Sequence, residues 1–145
     1  MAEYINVEKP FLDKLRQLGW QVIDQGIGVP QDPTKSLREN FKQVLLPQVF
    51  KDSIRAINKT PDGREWLTDK QLKDILLEIQ NFHGVTLHEA NKAIHRLLLK
   101  GTTVNKNELT GEISPTVRLV DFRNWDNNSF IAINQFRLLT PGASR

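Results

Sequence analysis

His88-Glu89 followed by His95 is the closest this chain comes to a catalytic metal motif. A zinc-protease helix needs its two histidines four residues apart on one face, with the glutamate between them acting as general base. Here the histidines are seven apart, and His83 stands alone near the end of a helical pattern. Ordinary surface or half-buried histidines are the commoner outcome. The Gly26-x-Gly28 pair is no dinucleotide fingerprint, because it lacks a third glycine and meets Pro30 and Pro33 before any helix. A nucleophile elbow, a P-loop and a cysteine nucleophile are all missing. With no cysteines, disulfides and thiolate zinc sites are excluded, which fits a reducing, cytoplasmic setting.

Two carboxylates are harder to set aside. Glu8 stands where a first helix begins, and the unpaired N–H groups and helix dipole there favour a negative charge. That structural role and a part in an acidic site both remain open. Asp121 lies between Val120 and Phe122 in a strand-like run, on the face of Val117 and Leu119. A half-buried, paired carboxylate at a strand end is common there; a small hydrolase using Asp121 with another carboxylate is the chemical alternative. Trp125, in the turn that follows, suits a cap over a hairpin better than a base-stacking platform.

The elements that must position these groups change character along the chain. Lys9 to Leu18 forms a helical pattern with Phe11, Leu12, Leu15 and Leu18 on one face, Pro10 in the first turn and Gly19 as the stop. Trp20 to Asp24 is a short strand, and Gly26 to Pro33 a loop. Residues 36–101 are a helical block. Ser36 and Glu39 read as a capping box, Pro47 interrupts, and Phe50, Ile54 and Ile57 begin a second pattern. Thr60-Pro-Asp-Gly63 is a turn. Thr68 and Gln71 cap a helix bearing Leu72, Ile75, Leu76 and Ile79, with Leu67 placed to staple against Leu72 and Gly84 as the stop. Thr86 and Glu89 cap another, closed by Gly101. Thr102 to Val104 is a strand, and Asn105 to Gly111 carries turn residues.

The stretch Val117–Leu138 then predicts a β-hairpin. Val117 to Phe122 and Phe130 to Leu138 are rich in β-branched and aromatic residues, and Arg123 to Ser129 supplies Asn, Asp and Ser for the turn. Both faces of the second run are apolar at one end, as in a strand covered on both sides. Such a strand needs a neighbour on each edge, so the sheet reads as unfinished.

Composition bounds the class. The 145 residues suit one ordinary domain; 39% are hydrophobic and 26% charged, as in soluble globular proteins. No apolar run approaches the roughly 20 residues a membrane helix needs, and Met1 to Pro10 has no signal-peptide pattern. Lys and Arg number 20 against 17 Asp and Glu, a net charge of +3, with the basic residues scattered and no run of five like charges. DNA contact is permitted by that balance but not argued by it. The fold class is α/β or α+β.

Several segments, taken together, carry a resemblance. They are Val7-Glu-Lys-Pro-Phe11 with Leu18-Gly-Trp20, Leu37-Arg-Glu39, Asn91 to His95 with Leu98-Leu-Lys-Gly101, and Val117 to Phe122 with Asn127-Asn-Ser-Phe130 and Asn134-Gln-Phe136. Over nearly the whole chain these are similar to the N-terminal region of the restriction (R) subunit of type I restriction–modification enzymes. The resemblance implies an α/β nuclease domain of the PD-(D/E)xK type with a helical insertion, spanning 1–145. Its parts are the first helix, strand and loop (1–35), the helical block (36–101) and the strands with hairpin 117–138 (102–145). It implies Mg²⁺ held by carboxylates, DNA as substrate, and ATP used only by later translocase domains. It also implies modification and specificity subunits as partners, the latter choosing the DNA sequence. Glu8 matches the acidic first-helix position that such nucleases place near the metal.

One departure matters: no Glu-x-Lys occurs after residue 101, so the family's Pro-Asp and Glu-x-Lys strands would lie beyond Arg145. The expectation is therefore a C-terminally incomplete endonuclease domain, inactive alone and binding no cofactor. The alternative is a stand-alone protein- or DNA-binding module without catalysis.

Overall fold

The computed structural model describes residues 1–81 and 86–140. In chain order these form helix α1 (Lys9–Gln17), preceded by a π-type turn at Tyr4–Glu8, and strand β1 (Gln21–Ile23). A 3-10 turn at Pro33–Ser36 precedes helices α2 (Pro47–Ile57), α3 (Asp69–Gln80) and α4 (Leu87–Lys100). Strands β2 (Thr102–Thr103) and β3 (Thr116–Val117), a 3-10 turn at Trp125–Asn127 and strand β4 (Ile131–Ile133) follow. This is a mixed helix-and-strand architecture, compatible with the α/β expectation. No helix among the described residues is long and apolar enough to cross a membrane. The expected roles of His83 and Gly84 fall outside the described residues. The chain divides into two compact units, one from 1–46 with 129–145, the other from 47–128. The three segments drawn from sequence divide it elsewhere.

In the discontinuous unit, β1 and β4 run parallel, in the register Gln21↔Ile131, Val22↔Ala132 and Ile23↔Ile133. Trp20 and Phe130, just before the strands, stack with ring centroids 5.2 Å apart. The apolar face expected for α1 is only partly covered: Leu12 is buried, while Phe11 and Leu18 are about two-thirds exposed.

The capping box expected at Ser36 does not form. The Ser36 hydroxyl donates to the Pro33 carbonyl at 2.9 Å and accepts from Arg38 Nε at 2.9 Å, which hold it in place of the Glu39 N–H. The Glu39 N–H donates instead to the Gln43 side chain, and Leu37 takes a left-handed backbone, φ 60°. Two local hydrogen bonds thus outcompete a helix start. They bury Arg38, whose guanidinium lies 3.8 Å from the Phe136 ring centroid and 5.5 Å from that of Phe41, and donates to the Gln43 carbonyl. Cation–π contact offsets part of the desolvation of this cation.

The continuous unit has the secure core: Ile54, Ile57, Leu67, Leu72, Ile75 and Val117, with Phe50, Trp66, Ile79, Val104 and Leu119 against them. Complete burial of Leu72 and Val117 contributes about 1.5–3 kcal/mol each. Pro47 opens α2, where its missing N–H is harmless, rather than breaking a longer helix. The Thr68–Gln71 capping box is reciprocal: Thr68 Oγ1 accepts from the Gln71 N–H, and Gln71 Oε1 from the Thr68 N–H. Thr86 Oγ1 accepts from the Glu89 N–H at the start of α4. Buried Asn58 donates to the Ile54 and Arg118 carbonyls and accepts from the Arg118 N–H, tying the end of α2 to the residue after β3.

The expected hairpin 117–138 is not present. β3 pairs antiparallel with β2, Thr102↔Val117 and Thr103↔Thr116, whereas β4 pairs with β1. The reason is local. Asp121 Oδ1 accepts from the N–H groups of Arg123 and Asn124, and Oδ2 from the Asn127 side-chain amide. Asn128 locks the loop by accepting from the Asp121 N–H and donating to the carbonyls of Asp121 and Trp125. Bonds of this kind let Asp and Asn compete with a strand ladder, and the first run ends at Val117. Trp125 therefore caps no hairpin; it is half exposed and meets Phe122 edge-on at 5.6 Å.

Candidate functional site

The carboxyl ends of β1 and β4 meet the side chains best suited to chemistry. The parallel register carries the chain from Ile23 to Asp24 and from Ile133 to Asn134 side by side. Crevices at the carboxyl ends of parallel strands are where open α/β sheets bind ligands. Asn134 Nδ2 donates to Glu8 Oε2 at 3.2 Å and to Asp24 Oδ1 at 3.1 Å, so one amide bridges two carboxylates. Gln135 Nε2 donates to both Glu8 oxygens, at 2.9 and 3.1 Å. Gln25 closes the group: its N–H donates to Asn134 Oδ1 at 2.6 Å and its amide to the carbonyls of Asn134 and Gln135.

Electrostatics follow the same contacts. The Tyr4 hydroxyl donates to Asp24 Oδ2 at 2.6 Å, and the Gly26 N–H to Oδ1 at 2.9 Å. The phenol bond first, opposed next by burial and supported by the Gly26 and Asn134 donors, holds the Asp24 carboxyl below its usual range. The same contact raises the Tyr4 phenol, chiefly through its hydrogen bond to Asp24. Gln135 has a left-handed backbone, φ 49°, and the Gln25 Oε1 atom is buried without a partner. Sparsely populated backbone at a polar cluster marks a functional candidate.

Glu8 is not the helix-start residue that its sequence position suggests. It continues from the Tyr4–Glu8 turn in helical conformation, and its carboxylate caps no N–H group of α1. It reaches instead to Asn134 and Gln135. Asp24, Asn134 and Gln135 were not singled out from sequence as site residues. The available signal was a polar pair directly after the apolar run ending at Ile133, matched by Asp24 after Val22-Ile23.

Asp121 belongs to the other unit, is buried, and has its oxygens committed to main-chain and amide donors plus Arg118 at 3.4 Å. The Asn124 N–H, then the Asn127 amide, hold its carboxyl below the usual range. That is loop closure. His88 and His95 are exposed on α4, and among the described residues no three acidic or imidazole groups converge as a metal site.

Glu8 and Asp24 are hard oxygen donors of the kind Mg²⁺ takes. As they stand they do not make a cation site, since amide N–H groups and the Tyr4 phenol occupy their oxygens and among the described residues no third acidic or imidazole group joins them.

Compared with known proteins, residues 2–145 match the family described as the type I restriction enzyme R protein N terminus. The chain belongs to that family. Two curated relatives of this R-protein N-terminal region agree. The type I restriction enzyme HindI endonuclease subunit of Haemophilus influenzae is 25% identical over 92% of this chain. An endonuclease subunit from Methanocaldococcus jannaschii, named for the type I enzyme MjaIXP, is 24% identical over 91%. The chain spans about 12% of the length of each. No solved structure matches. Within this member of the family, segments carrying the resemblance contribute directly to the discontinuous unit: Val7 to Phe11 brings Glu8, Leu37 to Glu39 brings Arg38, and Asn134 to Phe136 completes both arrangements.

Proposed function

We propose that this chain supplies the N-terminal part of a PD-(D/E)xK-type endonuclease domain in a type I restriction subunit, a protein that cleaves DNA after ATP-driven translocation. The observation that carries the reading is the Glu8–Asn134–Asp24 cluster at the carboxyl ends of two parallel strands, in a chain that matches the R-protein family throughout. Glu8 is the residue proposed to lend an oxygen to Mg²⁺, with Asn134 and Gln135 holding its carboxylate in place. Bound Mg²⁺ would activate water and stabilise charge on the scissile phosphate. The remaining ligands would come from strands carrying Pro-Asp and Glu-x-Lys, completing one nuclease domain with 1–145. ATP would serve later translocase domains only, and the modification and specificity subunits would be partners in the cytoplasm.

The test is made in a full-length subunit carrying this sequence, assembled with its partners. Glu8→Ala should abolish DNA cleavage, a loss of at least about a hundredfold for a group acting on the transition state, while ATP hydrolysis persists. The 145-residue chain alone should not cut DNA with Mg²⁺. Wild-type cutting by the Glu8 variant removes this residue from the site. A second reading, a binding module without catalysis, draws on the occupation of both carboxylates by donors, Glu8 by side-chain amides and Asp24 by the Tyr4 phenol, the Gly26 N–H and the Asn134 amide, as in a purely structural tie. It predicts that Glu8→Ala lowers thermal stability and leaves cleavage intact.

A further inference from the structure

Helix α4 presents an arrangement that no run of like charges in the linear sequence discloses. His88, Lys92, Arg96 and Lys100 recur every four residues, so they wind slowly along one side of the helix. All four are exposed, as is His95 beside them, while Ala90, Ala93, Ile94 and Leu97 on the opposite side are half-buried. Glu89 is the one acidic residue of α4. Elsewhere, some surface cations are paired, such as Lys9 with Asp13, Lys70 with Asp74 and Arg64 with Asp62. Among the described residues, Lys92, Arg96 and Lys100 enter no ion pair.

The stripe does not stop at the helix end. Lys100, Arg118 and Arg123 line one groove of about 260 Å³, with Leu98, Leu99 and Phe122 beside them. In the adjoining loop Asp121 is buried, pairs with Arg118 at 3.4 Å and is otherwise occupied by the bonds that close the loop, while Asp126 is exposed. Six cations or imidazoles therefore form a continuous surface in this unit.

We infer that the α4 stripe, His88–Lys92–Arg96–Lys100 extended by Arg118 and Arg123, is a phosphate-backbone contact surface for duplex DNA. Successive stripe residues are about 6 Å apart along the axis, and the four span about 18 Å. Duplex DNA carries one charge per roughly 1.7 Å of its axis, so such a length confronts on the order of ten phosphates. A row of flexible cations in which Lys92, Arg96 and Lys100 enter no ion pair among the described residues, although Arg118 pairs with Asp121 at 3.4 Å, suits that array and carries no base specificity, which leaves sequence choice elsewhere. The choice of duplex DNA over an acidic protein rests on the nuclease reading; the stripe itself does not depend on it.

The test uses the 145-residue chain and a short labelled duplex, with binding measured by fluorescence anisotropy from about 50 to 200 mM salt. Two variants carry equal charge change: Lys92→Gln/Arg96→Gln/Lys100→Gln in the stripe, and Lys14→Gln/Lys42→Gln/Lys73→Gln at exposed positions elsewhere. Circular dichroism checks that both fold as the wild type does. The stripe variant should bind about tenfold or more weakly, with the slope of log affinity against log salt reduced by about three, and the control should match wild type. Equal losses in both variants, no loss in either, or no binding by the wild type at low salt would overturn the surface. So would polyglutamate competing as well as unlabelled duplex, the outcome for an acidic protein partner. None of these results touches the Glu8 cleavage test, so the two readings fail separately.

Discussion

Single side chains decide more of this structure than their surroundings suggest. Asp121 is the clearest case, because its carboxylate replaces the strand ladder that the apolar run around it favours. Its folded pKa is depressed, so its stabilising effect is complete above the unfolded carboxyl's value of about 3.9 and is lost as pH falls through the folded value. The Asp121→Asn variant should therefore melt below wild type at neutral pH, with the gap closing as pH falls below the unfolded carboxyl's range. Thermal melts across that range measure it; a gap constant with pH would mean the charge contributes nothing. Sequence placed Asp121 as half-buried and paired, and that much was legible. Its partners were not, since an Asp that ends a strand and one that starts a loop have the same neighbours in the chain. For Glu8 the sequence left a helix-start role and a part in an acidic site both open; the first does not hold, because the π-type turn before it is invisible to helix-start signals.

At the level of elements, α3 and α4 were legible from their caps, because Thr68, Gln71, Thr86 and Gly101 act within one turn of where they stand, whereas α2 was legible only from the spacing of Phe50, Ile54 and Ile57. Gly101 also does something that a stop signal does not predict. It has φ +77°, and a Cβ there would overlap the Val117 carbonyl. That carbonyl belongs to the residue paired with Thr102 across β2 and β3, so it cannot retreat without disturbing the ladder. Gly101→Ala should lower stability by about 1–3 kcal/mol through backbone strain and overpacking together. Urea unfolding should show a lower midpoint with an unchanged slope; stability equal to wild type would mean that β3 yields freely. The misread element was the hairpin, and the cause is general. Strand pattern reports burial but not partner, and the partner of β4 was a three-residue strand at the far end of the chain. The α4 stripe was missed for a related reason, since cations four apart look scattered until they are wound on a helix.

At the level of the whole chain, one unit is continuous, 47–128, and the other is assembled from both ends. Gln25 and Asn134, which bond directly, are 109 residues apart. That separation explains why Asp24, Asn134 and Gln135 could not be read as a site, although each is visible as a polar residue after an apolar run. Consider then a ribosome making this chain from the N-terminus. β1 leaves the exit tunnel early and waits without its partner, while α2, α3 and the β2–β3 ladder emerge with all their core residues present. A folded insert shortens the effective loop that β4 must close, and loop closure is slow where contacts are distant. Protection from hydrogen exchange during refolding should therefore arise first at Leu72, Ile75 and Leu76 and later at Ile23 and Ala132, whose N–H groups face the β1–β4 ladder. Simultaneous protection at both sets would refute that order. Until β4 arrives, Glu8 and Asp24 lack the side-chain amides of Asn134 and Gln135 that join them, so the carboxylate cluster comes into being only after synthesis has passed Gln135.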